Sequence, residues 1–368
     1  MEKKNSHTEC VPSAASTEGS LSSQKTKSKI PVIGIDLLGG DHRDEAYFLA
    51  TLRTLLEGTS TPCCFFFFTT PKHRLHIEAF IHHHRSLLIQ SEVYCLDVDE
   101  VIEMDDDPLL SVRRKKKASI NVGMKKLREH QLDAIISTGN TGAFIASAML
   151  HLPLLPTINR AALITLLPTK KDPIAVLDVG ANIHCTADHL IQFARLGVAY
   201  QQSRGIKTPV VGLLNIGTEE KKGRAELHEA YSCLQKLYPQ SSPRSPTFIG
   251  NIEGKQIFSG AVDVLVTDGF TGNVFLKTAE GISSFILETL SSNRHVIPLA
   301  KPMLKKLEGE LSTAKAHGAL LCGIDGIVIK CHGDAEPAAL LAGVQSALDF
   351  MQSQFLAQFK GRLLNQAI

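Results

Sequence analysis

Four continuous apolar runs along the chain each stop at a short polar turn that contains glycine. Ala134-Ile135-Ile136 leads into Ser137-Thr138-Gly139-Asn140-Thr141-Gly142, and Ile174 to Leu177 leads into Asp178-Val179-Gly180-Ala181-Asn182. Val210 to Leu214 leads into Asn215-Ile216-Gly217-Thr218-Glu219, and Val264-Leu265-Val266 into Thr267-Asp268-Gly269-Phe270-Thr271-Gly272-Asn273. Runs without polar alternation are what strands buried on both faces require, so the pattern predicts parallel strands in an α/β fold. Pro31 to Asp36 predicts a first strand, which enters a fifth such turn, Leu37-Leu38-Gly39-Gly40-Asp41-His42; Cys63 to Phe68 and Val93 to Leu96 predict two more strands. Open α/β sheets bind ligands outside the carboxyl ends of their strands. Glycine there permits close backbone approach, and the N–H groups that open the next helix favour an anion. The turns together predict a composite site for a small, oxygen-rich, anionic ligand.

Helical spacing is weaker but readable. Ile120, Met124 and Leu127 recur at helical intervals as core positions. Pro108 suits the first turn of a helix capped by Asp107. Residues 283–311 predict two helices broken near Ser291-Ser292-Asn293 and Pro298. Residues 1–29, rich in Ser, Thr and Lys and without periodicity, predict a disordered tail before a single α/β domain over 30–360.

Composition narrows the function. The 368 residues are 43% apolar and 21% charged, the profile of a soluble globular chain. A net charge of +2 gives no global attraction to nucleic acid. The eight cysteines (Cys10, Cys63, Cys64, Cys95, Cys185, Cys233, Cys322, Cys331) form no CxxC pair, which fits a reducing compartment. The P-loop, GxGxxG and GxSxG patterns are all missing, which disfavours nucleotide hydrolysis, dinucleotide binding and a serine nucleophile. His82-His83-His84 would point three ways on a helix and reads as surface. His184, Cys185, Asp188 and His189 would form two i,i+4 pairs if helical, but no distant partner completes a metal set. No metal or cofactor is expected. Arg113-Arg114-Lys115-Lys116-Lys117 is either a solvated face or a cationic wall for phosphate or an acidic carrier protein.

The turns occur in an order that resembles the PlsX family of bacterial phosphate acyltransferases. The series Asp36 to Asp41, Ser137 to Ala143, Asp178 to Asn182 continues with Leu214 to Glu220 followed by Lys222-Gly223, and with Gly250 to Gly254. It closes with Asp263 to Gly281 (DVLVTDGFTGNVFLKTAEG) and Gly323 to Lys330 with His332-Gly333. The likeness covers residues 31 to about 350. Departures are Leu37-Leu38, where the family has Ala-Met, and Ala316 to Gly323, where its Tyr, one Gly and Pro are missing and Ala316, His317 and Leu320 stand instead. These leave the shape of that wall open.

The resemblance implies a three-layer α/β/α Rossmann-like sandwich, similar to isocitrate and isopropylmalate dehydrogenases and to phosphotransacetylases, with a projecting helical hairpin at 283–311. It implies a cytoplasmic, peripherally membrane-associated homodimer without nucleotide or metal. Such an enzyme moves a long acyl chain from acyl-carrier protein to inorganic phosphate, and a membrane glycerol 3-phosphate acyltransferase consumes the product. In that setting Asn140 and Thr141 are expected to hold phosphate through backbone N–H groups, and Asn182, Asn215 and Asn273 to offer amide donors. Lys277 and Lys330 would balance negative charge. Gly39, Gly40, Asp41, Gly139, Gly142, Gly217, Gly272 and His332 would line the substrate, while Asp178 and Asp268 orient neighbours. Arg113, Arg114, Lys115 and Lys116 are the expected carrier-docking run, with Lys301, Lys305 and Lys306 competing, and Val296-Ile297 is the expected membrane tip. A phosphotransacetylase-like enzyme using coenzyme A, a decarboxylating dehydrogenase and a membrane-surface scaffold remain the alternatives.

Overall fold

The structure, a computed structural model, describes residues 30–88, 91–241, 244–292 and 318–366. The expected tail at 1–29, the second half of the expected hairpin with Val296, Ile297, Lys301, Lys305 and Lys306, and Ala316 and His317 lie outside the described residues. Pro31–Ile368 is one compact unit.

Eleven strands make one sheet. In chain order they are β1 (Val32–Asp36), β2 (Cys63–Thr69), β3 (Ser91–Asp97), β4 (Ala134–Ser137), β5 (Ala162–Leu167), β6 (Ile174–Leu177), β7 (Val210–Leu214), β8 (Thr247–Ile252), β9 (Val264–Val266), β10 (Ala319–Cys322) and β11 (Ile327–Lys330). Ten α-helices are described: α1 (Glu45–Gly58), α2 (Pro71–His83), α3 (Pro108–Arg114), α4 (Ser119–Arg128), α5 (Thr141–His151), α6 (Ala187–Ser203), α7 (Ala225–Leu237), α8 (Gly269–Ser292), α9 (Pro337–Gln352) and α10 (Phe355–Asn365). Helices cover both faces. On β4, a side chain at Gly123 of α4 would strike Ile135, while Gly343 of α9 sits over Ile136, so successive residues of one strand bury against opposite layers. That explains the unbroken apolar runs. Asp107 caps α3 as expected, accepting from the Leu110 N–H at 2.8 Å.

The strand order is β3-β2-β1-β4-β11-β10-β5-β6-β9-β7-β8. The first five are mutually parallel, and so are the last four. Between them the pairings β11–β10, β10–β5 and β5–β6 are antiparallel, so the two parallel blocks run in opposite directions. Register nevertheless brings their carboxyl ends level. One row of partners runs Phe67, Ile35, Ile136, Ile329, Leu320, Ile164, Leu177, Val266, Leu213. β1, β4, β11, β6, β9 and β7 all end on this row or one residue beyond it.

Helix α8 spans the junction. Its first N–H, from Gly269, donates to Asn182 O at 2.8 Å, and Asp268 accepts from the Thr271 N–H at 2.7 Å as a cap. Near its middle Glu280 pairs with His332, just past β11, at 3.2 Å. A Cβ at Gly272 would lie 1.9 Å from Asp178 O, so the helix seats on the second block only because that position is bare. Gly272→Ala should therefore cost about 3 kcal/mol through backbone displacement, read as a lower Tm by calorimetry. An unchanged Tm would show that this contact does not seat the helix.

Candidate active site

The first cluster gathers the ends of β1, β4 and β11. Asp36, Ser137 and Lys330 are register partners on three adjacent strands and share one face of the sheet. All three are buried. Ser137 Oγ donates to Asp36 Oδ2 at 2.7 Å and accepts from the Gly139 N–H at 3.0 Å. Lys330 Nζ donates to Cys331 O. Burial pushes the Asp36 carboxyl up to about 6, against the pull of its hydrogen bonds and of Lys330. Burial also brings the Lys330 ammonium down to about 8; Asp36 and Asp41 oppose the fall and Lys277 adds to it. Asp41, itself exposed, anchors its turn by donating its N–H to Gly333 O at 2.9 Å. Gly40 packs against Thr138 Oγ1, a buried hydroxyl with no partner among the described residues.

Asn140 is the cap of α5. Its Oδ1 accepts from the Ala143 N–H at 3.0 Å, and its amide donates to the carbonyls of Glu103, Met104 and Asp106. Thr141 and Gly142 open the helix, where first-turn N–H groups have no intrahelical acceptor. Three of the glycines stand where turns pack closely on one another. Gly39, at φ +77°, faces Ile102 O, Gly139 faces Leu38 O, and Gly142 faces Pro108. They let these turns approach one another.

The second cluster lies at the ends of β6, β7 and β9. Asp178 is buried and takes five donors: the N–H groups of Leu163, Gly180, Ala181 and Asn182, and the Asn182 amide. Burial raises its carboxyl and these donors oppose the rise. Asn182 also donates to Ala161 O at 2.8 Å. Asn215 closes its own turn, donating to Lys222 O and accepting from the Ile216 N–H, each at 2.8 Å. Gly217 packs against Glu219 and Lys222. Asp268 pairs with Arg224, a half-exposed cation absent from the sequence-derived set; its only signal was a basic residue just after the Lys222-Gly223 pair.

Among the four asparagines, Asn273 alone leaves its amide without a hydrogen bond among the described residues. It faces Gly180, with its Oδ1 3.7 Å from where a Cβ would stand. One helical turn on, about 6 Å along the axis, Lys277 is exposed and close enough to Lys330 to oppose its charge. Helix α8 thus joins the clusters with a free amide and a cation on successive turns.

The basic run divides. Lys115 turns inward to Asp106 at 2.6 Å and to Val101 O, and Lys117 pairs with Asp99 at 2.7 Å. Arg113, Arg114 and Lys116 are exposed. Arg113 and Lys116 border a notch of about 210 Å³ with Val112, Lys125, Leu150 and His151. The i,i+4 pairs that His184, Cys185, Asp188 and His189 would make on one helix do not form, because α6 begins at Ala187; His189 completes a capping box with Thr186. His83 and His84 each bond a carbonyl one turn back, Ala79 O and Phe80 O.

Comparison with known proteins identifies the family. The family model described as "Fatty acid synthesis protein" matches residues 32–358. A phosphate acyltransferase of Chlamydia pneumoniae is 36% identical over 339 residues, covering 90% of this chain and 99% of that one. One from Pseudomonas savastanoi pv. phaseolicola is 36% identical over 340 residues, covering 90% and 96%. Among solved structures, a phosphotransacetylase from Streptococcus pyogenes aligns with a TM-score of 0.56 at 14% identity, covering 88% of this chain and 95% of that one. The EutD phosphotransacetylase from Staphylococcus aureus aligns at 0.52 and 13% identity, covering 88% and 94%. These last two share the α/β fold. With the turn series, the matched span and the two relatives in hand, the chain belongs to the phosphate acyltransferase (PlsX) family and is an acyltransferase.

Proposed function

We propose that the protein transfers a long-chain acyl group from an acyl-carrier-protein thioester to inorganic phosphate, forming acyl phosphate for phospholipid synthesis. The observation that carries this reading is the strip on α8, where the Asn273 amide, without a hydrogen bond among the described residues, is followed one turn later by Lys277, whose charge acts on the buried Lys330. Two ammonium groups that oppose each other are a site for a multiply charged anion. The opening N–H groups of α5 add donors nearby.

Phosphate supplies its own nucleophile. One of its oxygens attacks the thioester carbon, the C–O bond forms, and charge collects on the carbonyl oxygen. Collapse breaks the C–S bond and releases the carrier thiolate, which takes a proton from solvent. Lys277 and Lys330 hold the phosphate. Asn273 is the donor placed for the developing oxyanion, with Gly180 leaving room at its side. Asn140, Asn182 and Asn215, whose amides already bond the protein, act by holding the turns. Asp178 and Asp268 orient the turn and the start of α8.

Loss of one preorganised donor costs roughly 3 kcal/mol, about a hundredfold in rate. Asn273→Ala and Lys277→Met should each lower acyl phosphate formation by about that factor with an unchanged Tm. Asn215→Ala should lower Tm as its turn opens. Product is read by mass spectrometry with acyl-carrier protein or acyl-coenzyme A as donor. Equal use of both donors would favour the phosphotransacetylase-like reading, and normal rates in both α8 variants would remove the strip from the site.

The notch beside α3 supports a docking place for the acidic carrier, since Arg113, Lys116 and Lys125 surround Leu150, which is 58% exposed. Arg114 flanks it. Reversal of Arg113 and Lys116 to Glu should raise KM for the carrier several-fold, more steeply at low salt, and leave KM for phosphate alone. A shift confined to the phosphate KM would place this run in the reaction site instead.

No described helix is long and apolar enough to cross a membrane. A homodimer with peripheral membrane contact remains the proposal, supported by Phe270, Val274, Ile282 and Phe285 exposed along α8. Exchange of Val296 and Ile297 for Glu should release the protein from anionic vesicles while acyl transfer persists. Retained binding by the folded double variant would move the contact elsewhere.

A further inference from the structure

Lys330 is 6% exposed, and its one hydrogen-bond partner among the described residues is the carbonyl of Cys331. An ammonium has three donors, so two remain for another group. The strongest charges that reach it are the Cys331 thiol on its own chain, Asp36 on β1, Asp41 on the turn after β1 and Lys277 on α8. The Glu280–His332 pair stands over the same strand end, and β4 contributes only the hydroxyl of Ser137. Of the two carboxylates Asp41 is exposed and screened by solvent, whereas Asp36 is fully buried. Asp36 is also fixed. Its Oδ2 accepts from Ser137 at 2.7 Å, its Oδ1 accepts from the Leu38 N–H at 3.3 Å, and β1, β4 and β11 are locked in register.

We propose that Asp36 is a positioning residue for acyl transfer, the fixed counter-charge that keeps Lys330 protonated while its free donors wait for the phosphate. This rests on the reading that Lys330 holds phosphate. Asp36 does not touch the substrate; Ser137 stands between it and Lys330 in the strand row and aims its carboxylate.

A buried ammonium loses its charge more easily than a free one, because burial disfavours the charged form. The charge on Lys330 is therefore present below about 8 and lost as pH rises through that value. Anion affinity should follow it, steady in the neutral range and falling about tenfold per unit above the limb. Asp36 shares the buried strand row with Lys330, one strand removed, and an opposite charge held there favours the charged form and raises the limb. Asp36→Asn retains the shape and an acceptor but removes the charge, so it should move the limb down by about one unit and weaken anion binding roughly tenfold on the alkaline side.

The test is calorimetric binding of phosphate, with sulfate as the dianion that does not titrate in this range, across about pH 6.5 to 9.5. Lys330→Arg should abolish the limb, because guanidinium stays charged throughout. If Lys330→Met binds phosphate as tightly as the native protein, the phosphate reading of Lys330 fails. If Lys330→Met loses binding but Asp36→Asn keeps the native limb, only the role of Asp36 fails. Should Asp36→Asn not fold, carbon-13 NMR of the aspartate carboxyls decides. One buried carboxyl should titrate near 6 in the native protein and about one unit higher in Lys330→Met. No carboxyl responding to that substitution would overturn the proposal.

Discussion

The three antiparallel pairings at the centre of the sheet are the constraint on which the rest of the site depends. β11–β10, β10–β5 and β5–β6 reverse the second parallel block relative to the first. In a continuous parallel sheet all the strand-end turns would stand along one edge. Here the two blocks point opposite ways, and their turns meet only because register stops both at one row. Helix α8 touches both halves, anchored at Asp178–Asn182 and tied to His332. The proposed chemistry rests on the crossing, because Asn273 of α8 faces Gly180 in one half of the sheet and Glu280 pairs with His332 in the other.

Polar turns held this closely need internal hydrogen bonds. A carboxylate buried without partners would be costly, and Asp178 meets that demand with five donors. Asn140, Asn182 and Asn215 do the same for neighbouring turns. Donors consumed in this way cannot also reorganise toward a reacting group, but they make the scaffold stiff. Stiffness is what a transition-state donor needs from its surroundings, since a group that must be moved into place loses part of its effect. Among the described residues, Asn273 is the one of the four asparagines whose amide is not used in this way.

Much of this architecture could be read in the sequence. Strands buried by helices on both sides must be apolar at every position, and β2, β4, β6, β7 and β9 announced themselves accordingly. The cap at Asp107 and the turn boundaries were legible for equally local reasons. The reversal at the centre was not, because a short apolar strand carries no mark of its direction. Without the reversal the turns looked like four contributors to one pocket, whereas they form two clusters. The asparagines were ambiguous because capping a helix and donating to a substrate demand the same side chain, and only the carbonyls of Glu103, Met104 and Asp106 identify which one Asn140 serves. Arg224 and the inward turn of Lys115 depend on partners distant in sequence or across a loop, Asp268 and Asp106.

The residues that close β1, β4 and β11 illustrate how strand direction becomes electrostatics. A polar side chain in the middle of such a strand would be buried among apolar layers with nothing to bond. At the last position it can still be buried, yet it borders the turn, where backbone N–H groups are free to meet it. Asp36 finds the Leu38 N–H and Ser137 finds the Gly139 N–H. Lys330 has no acceptor of comparable quality, because the turn ahead of it offers a carbonyl and the row beside it offers a carboxylate already engaged. An ammonium in that position is poorly compensated, and burial lowers its hold on the proton. Replacing it by an apolar residue would relieve that cost and leave a better-packed core. Its place at the meeting point of two strand blocks and a crossing helix accords with the proposal that an anion supplies the missing compensation.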